Sequence, residues 1–256
     1  MSSIPPPNPT VSITLDKQLL KGDKKIIISI LEKLIKKYKS LGEVPIPIHS
    51  SDEHEPYMYF PYYPNHHVNS QIYIDEYACK NKNGVDADSL IANVKRRYMR
   101  YDPHIHIFII NPPAYDFRCY EMILGRVSPI IPPALSSYEE GAIFETPGVV
   151  VISVGSFKKH YGRDWPTALY GTLAYYLGLL FGLPAYENPY RKGLHCSYKY
   201  CVMRGISDRK GLDRILKNNP NLYCEHDLWY LRKNLYWLFG GQKESEESIK
   251  DILDLL

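Results

Sequence analysis

Apolar positions along the chain change period several times, and each change marks an element. From Asp23 to Ser40, Ile26, Ile27, Ile30, Leu31 and Leu34 recur at helical spacing with lysines opposite. This predicts an amphipathic helix, with Asp23 as its N-cap and Gly42 just past its end. Gln71–Ile74 reads as a short strand and residues 86–101 as a helix. His104–Ile110 alternates and then becomes solidly apolar, as a strand entering a covered sheet does. Gly148–Ser153 (GVVVIS) reads as a buried strand. Residues 165–186 contain no charge, and a helix is expected over residues 167–182. A helix apolar on all sides is buried in protein or in lipid. Gly171, Gly178, Gly182 and Pro184 break this stretch and favour protein. Asp213–Asn218 and residues 227–239 are further expected helices. Glu244–Leu256 repeats Ile249, Ile252, Leu253 and Leu256 as a short acidic amphipathic helix. The alternation of strands and helices predicts an α/β fold with a mixed, mainly parallel sheet.

Flanking segments read differently. MSSIPPPNPT at the start is proline-rich, and residues 1–22 are expected to form an extended arm. Residues 43–70, rich in Pro, His and Tyr, read as a connecting loop. Residues 23–240 then form one domain, and residues 241–256 an acidic tail.

Composition narrows the function classes only partly. The 256 residues carry 31 basic and 28 acidic side chains, a net charge of +3. That is too small to imply nucleic-acid binding by the whole surface. Residues 190–235 are locally basic, with ten Lys/Arg against four Asp/Glu. A basic face there could meet RNA or an acidic partner. Tyrosine is abundant, 23 against 7 phenylalanines; it reflects compositional bias or a large amphipathic contact surface. Five cysteines without a regular framework, and no secretory signal at the start, point to a reducing, cytoplasmic setting. Cys79 and Cys119 read as packing residues. His104 and His106 share one strand face and form a weak candidate metal pair.

The chemistry concentrates in the C-terminal half. Residues 175–185 read YYLGLLFGLPA, downstream lies His195-Cys196-x4-Cys201-x-Met203, and then Cys224-Glu225-His226-Asp227. Together these segments resemble the archaemetzincin family of metzincin zinc peptidases over residues 70–240. The family pattern HExxHxxGxxH places Gly182 on its glycine, Tyr175 and Leu179 on its two helix histidines, and Tyr176 on its general-base glutamate. The third histidine falls on Ala185 by spacing or on His195 by the cysteine that follows it. Met203 matches the methionine beneath the catalytic metal. The family's four cysteines hold a structural zinc, and three are kept here: Cys196, Cys201 and Cys224. Asp227 stands at the fourth position, with His226 as a neighbouring alternative.

The resemblance implies a zincin/metzincin-like mixed sheet, an active-site helix and a C-terminal subdomain stapled by one zinc ion. Catalytic zinc needs three nitrogen or oxygen ligands and an open water position. Tyr175, Tyr176 and Leu179 do not supply them. The resulting expectation is no enzyme but a pseudoprotease, with its old metal space filled, that binds a protein or ribonucleoprotein partner. The alternative is a zinc-dependent peptidase or hydrolase with a non-standard site, for example one using His195.

Overall fold

A computed structural model describes residues 10–42, 48–50, 57–58, 68–69, 74–75, 77, 82–97, 104–128, 148–185, 188–205 and 209–239. Its centre is a five-stranded sheet. The strands are β1 (Thr10–Leu15), β2 (Ile48–Ser50), β6 (His104–Ile110), β8 (Arg126–Ser128) and β9 (Gly148–Ser153), in the order β2-β1-β6-β9-β8. The first four pair in parallel, and β8 runs antiparallel to β9 at the edge. Two short pairs lie apart from it: β3 (Tyr57–Met58) with β4 (Val68–Asn69), and β5 (Val85–Asp86) with β7 (Ala114–Tyr115).

Alternation along the strands sorts two cores. Val11, Ile13, Leu15, Ile105, Ile107, Ile109, Val150 and Ile152 face the larger one. There they meet α1 (Lys21–Gly42), α4 (Trp165–Leu180), α5 (Arg209–Asn218) and α6 (Glu225–Phe239). Phe108, Ile110, Val149 and Val151 face the other side, under α2 (Ala87–Arg97) with Leu90, Ile91 and Val94. Both faces are covered, so the strands are almost continuously apolar. α3 (Val154–Tyr161) follows β9 directly, with the Ser153 hydroxyl accepting from Ser156 N–H as its cap.

Several expectations change. Residues 10–15, expected within the extended arm, form a strand: TVSITL alternates, buries Val11, Ile13 and Leu15, and lies between two strands as β1. The proline run before it hides this pattern in the sequence. Asp23 is not the N-cap, because α1 begins at Lys21; its carboxylate pairs with Lys158 instead. Cys119 is exposed, at a φ of 62°, in a turn where Asp116 Oδ1 accepts the N–H groups of Arg118 and Tyr120. His106 is fully buried beside Phe108, ring centroids 4.9 Å apart, and among the described residues it belongs to no cluster that could hold a metal. Cys79, most of residues 43–70 and the tail 241–256 lie outside the described residues, as do Gln71–Tyr73. Among the described residues, no helix is long and apolar enough to cross a membrane.

Burial lowers the His106 pKa from 6.5 to about 3. The unfolded chain binds this proton below its own pKa, while the fold does not until about pH 3. His106 therefore costs stability as pH falls through that window. His106→Leu should flatten the loss by up to about 1.4 kcal/mol per pH unit. Urea unfolding of parent and variant at pH 6.5 and 4.5 measures it, and parallel curves would count against this assignment.

Candidate metal centre and cleft

The long apolar helix α4 organises both sites. It starts at Trp165 with Pro166 in its first turn, where a missing N–H costs nothing. It ends where Gly182 adopts a φ of 81°. Gly182 N–H donates to Leu179 O at 3.0 Å and Leu183 N–H to Gly178 O at 2.9 Å, the paired bonds of a Schellman turn. Mid-helix, Ala174 O accepts from the Tyr223 hydroxyl at 2.7 Å, which also contacts Tyr38 of α1. Gly178 lets buried Met203 close in, since a Cβ there would lie 2.4 Å from its sulfur. The methionine expected beneath the site does pack under α4.

Beyond the helix, Cys196, Cys201, Cys224 and Asp227 converge, with one ligand atom from each within 4.8 Å of all the others. All four are buried. Cys196 lies on β11 (His195–Cys196), which pairs with β10 (Arg191–Lys192). Cys201 precedes a 3-10 turn (Val202–Arg204), and Cys224 and Asp227 sit three apart at the start of α6. The sulfurs of Cys196 and Cys224 are 3.9 Å apart, and Asp227 Oδ2 is 3.4 Å from Cys201 and 3.5 Å from Cys224. Four ligands on a tetrahedral zinc stand about 3.8 Å apart. Of the two candidates for the fourth ligand, Asp227 points inward. His226 is exposed, edge-on to Tyr190.

Electrostatics also call for a cation. Thiol hydrogen bonds from Cys201 and Cys224 lower the Cys196 pKa. The same contacts and burial raise Cys201. Burial, then Cys224, push Asp227 up to about 6. Successive negative charges in this closed space oppose one another, and one divalent ion removes the conflict. The cluster fits one zinc ion.

A fifth residue, Asn188, gave no signal in the sequence. Its buried Nδ2 lies 2.9 Å from Asp227 Oδ1, 3.4 Å from Cys224 Sγ and 3.6 Å from Cys196 Sγ. Asp227 Oδ1 also accepts Ala185 N–H at 3.0 Å. One carboxylate oxygen thus holds the loop leaving α4, while the other faces the thiols.

The two candidates for the third-histidine position lie in different places. Ala185 belongs to the metal centre. His195 belongs to a separate cleft of about 310 Å³, lined by Leu124, Gly171, Thr172, Tyr175, Tyr176, His195 and Gly205. The Tyr175 hydroxyl lies 3.3 Å from His195 Nδ1 and 3.3 Å from Leu194 O, and the two rings stack at 19°. Burial raises the Tyr175 pKa, so the phenol keeps its proton at neutral pH. Tyr176 is turned away, its hydroxyl donating to Gly125 O at 3.1 Å. That bond ties α4 to the loop before edge strand β8. Leu179 is buried in the core and does not line the cleft. Of the three residues expected to fill one space, Tyr175 and Tyr176 line the cleft and Leu179 packs in the core.

An α/β sheet, a buried helix ended by a glycine turn, and a cleft over that helix define a zincin-like protein. Among solved structures, the chain is similar to archaemetzincin from Methanopyrus kandleri, at 14% identity and a TM-score of 0.50, over 92% of this chain and 99% of that one. It is also similar to a zinc-dependent peptidase from Methanocorpusculum labreanum, at 13% identity and a TM-score of 0.45, over 86% of this chain and 99% of that one. By sequence, the chain matches no protein-family model and no curated protein. The fold is that of archaemetzincin. This likeness overturns the expectation that the chain is no enzyme. The fold shared with archaemetzincin stands against it, and Tyr175 and Tyr176 line a cleft beside His195.

Purified protein should carry one zinc per chain by elemental analysis. Cys224→Ser should lose it and lower stability by roughly 3 kcal/mol, a fall of about 6–12 °C in melting midpoint. Asn188→Ala should keep the fold and weaken zinc about 10–100-fold in chelator competition. Variants that melt and bind metal like the parent would dismiss the centre.

Proposed function

We propose that this chain is a zinc-dependent peptidase or related hydrolase with a non-standard site, working in the Tyr175–His195 cleft. The observation that carries it is the paired phenol and imidazole, 3.3 Å apart, on the wall of an open cleft over α4. Among the described residues, the cleft lining offers one imidazole, two phenols and no carboxylate. That set suits acid–base chemistry better than three-ligand zinc binding. Tyr175, held protonated, donates to the carbonyl oxygen of an entering peptide. His195 takes a proton from water as the water oxygen bonds the carbonyl carbon, then returns it to the departing amine.

Zinc dependence follows from position. His195 is bonded directly to Cys196, a thiol of the metal centre, and Asp227 holds the loop after α4. Zinc at the buried cluster keeps His195 against Tyr175. Edge strand β8 supplies a place for an extended peptide. Its far side has no partner among the described strands, and Leu124, just before it, lines the cleft.

Zinc-loaded protein incubated with a mixture of fluorogenic peptides tests the reading. We expect slow cleavage, abolished by His195→Ala and by a strong chelator, and reduced about 10–100-fold by Tyr175→Phe. No cleavage of any peptide, or cleavage that survives His195→Ala, would overturn it.

A further inference from the structure

Charge is distributed unevenly around this cleft. β10 and β11 pair antiparallel, with Lys192 opposite His195 and Arg191 opposite Cys196. Residues directly opposite in such a pair put their side chains on the same face. His195 lines the cleft, so Lys192 stands on the cleft side of the hairpin. Arg191 shares its face with buried Cys196, and its Nε donates to Gly193 O at 3.0 Å. Arg204 immediately precedes Gly205, another lining residue, where a Cβ would sit 3.4 Å from His195 Nδ1. Lys192 and Arg204 are both exposed. Among the described residues, no carboxylate pairs with either. Residues 188–205 contain four Lys or Arg and no acid. Arg126, whose charge reaches Tyr176, is held by Asp88 at 2.8 Å.

We propose that Lys192 and Arg204 are specificity residues that select peptides bearing an Asp or Glu side chain next to the segment seated in the Tyr175–His195 cleft. This rests on the hydrolase reading above. Two cations beside the cleft, with no carboxylate partner among the described residues, attract an acidic side chain and repel a basic one. They also raise the encounter rate for acidic chains at low salt. A polynucleotide would use the same cations but needs open aromatic faces for its bases. The Tyr175 ring in the cleft is stacked on His195, and Tyr176 is buried. The cleft therefore fits a peptide better.

Three matched fluorogenic peptides, identical but for Glu, Gln or Lys at one flanking position, test this. The parent enzyme should favour them in that order by kcat/KM at low salt, with the spread shrinking near 0.5 M salt, where screening is short-ranged (~4 Å). Lys192→Glu with Arg204→Glu should shift the Glu-to-Lys ratio by roughly tenfold or more. An unchanged ratio in a variant that still melts like the parent would overturn the proposal. Anisotropy with the same peptides reads the preference without turnover. If no peptide is cleaved but the Glu peptide binds best and the double variant loses this, the hydrolase reading fails while the charge selection stands. Equal binding of Glu and Lys peptides sinks the selection alone. A single-stranded oligonucleotide that displaces the Glu peptide at lower concentration than that peptide itself binds would overturn the commitment to a peptide.

Discussion

Three thiols and a carboxylate share a closed space that excludes water, and the C-terminal half of the molecule depends on how their charge is balanced. Three separate segments supply them, a hairpin, the start of a 3-10 turn and the start of α6, and Asp227 Oδ1 also ties in the loop leaving α4. None of these segments is long enough to bury much apolar area of its own. An ion that draws all four ligands inward does what a larger core would otherwise do. Asp227 suits the role because its two oxygens face different ways, one toward sulfur and one toward Ala185 and Asn188.

The consequences reach the cleft through covalent adjacency. His195 is one residue from a metal-site thiol, and the hairpin that carries Cys196 also carries His195 and Lys192. On the opposite wall, α4 is fixed by its own packing. Tyr223 and Tyr38 hold its middle, Met203 lies against Gly178, and Tyr176 reaches Gly125. One wall is therefore set by metal and the other by apolar burial. Between them stand a phenol and an imidazole, groups that need neither wall to carry a buried charge. Acid–base partners of this kind tolerate neutral surroundings better than the carboxylates of a metal-ligand cluster would.

Much of the frame was legible in the chain. Apolar runs at His104–Ile110 and Gly148–Ser153, with the charge-free stretch at Trp165, locate two central strands and the central helix, because covered strands and buried helices must be apolar throughout. Cys196, Cys201 and Cys224, with Asp227 at the fourth position, marked the metal centre through their resemblance to the archaemetzincin pattern. Other parts were hidden. Residues 10–15 alternate over only six positions, next to a proline run, and read as an arm until a sheet receives them. Asn188 has no periodicity or motif to announce it, since its role comes from two loops meeting. The inference that the chain is no enzyme rested on absent ligands. It could not register that the cleft stays open and holds His195.

By itself the sequence determined which segments must be buried and which residue types could bind a soft divalent ion, because both follow from composition at short spacing. Tertiary structure alone placed Ala185 beside the metal cluster and His195 in the cleft, and chose Asp227 over His226 as the inward-facing ligand. It also decided that Lys192, not Arg191, shares the cleft with His195. Each of those choices turns on which way a side chain points after distant segments pack, and no local pattern carries that information.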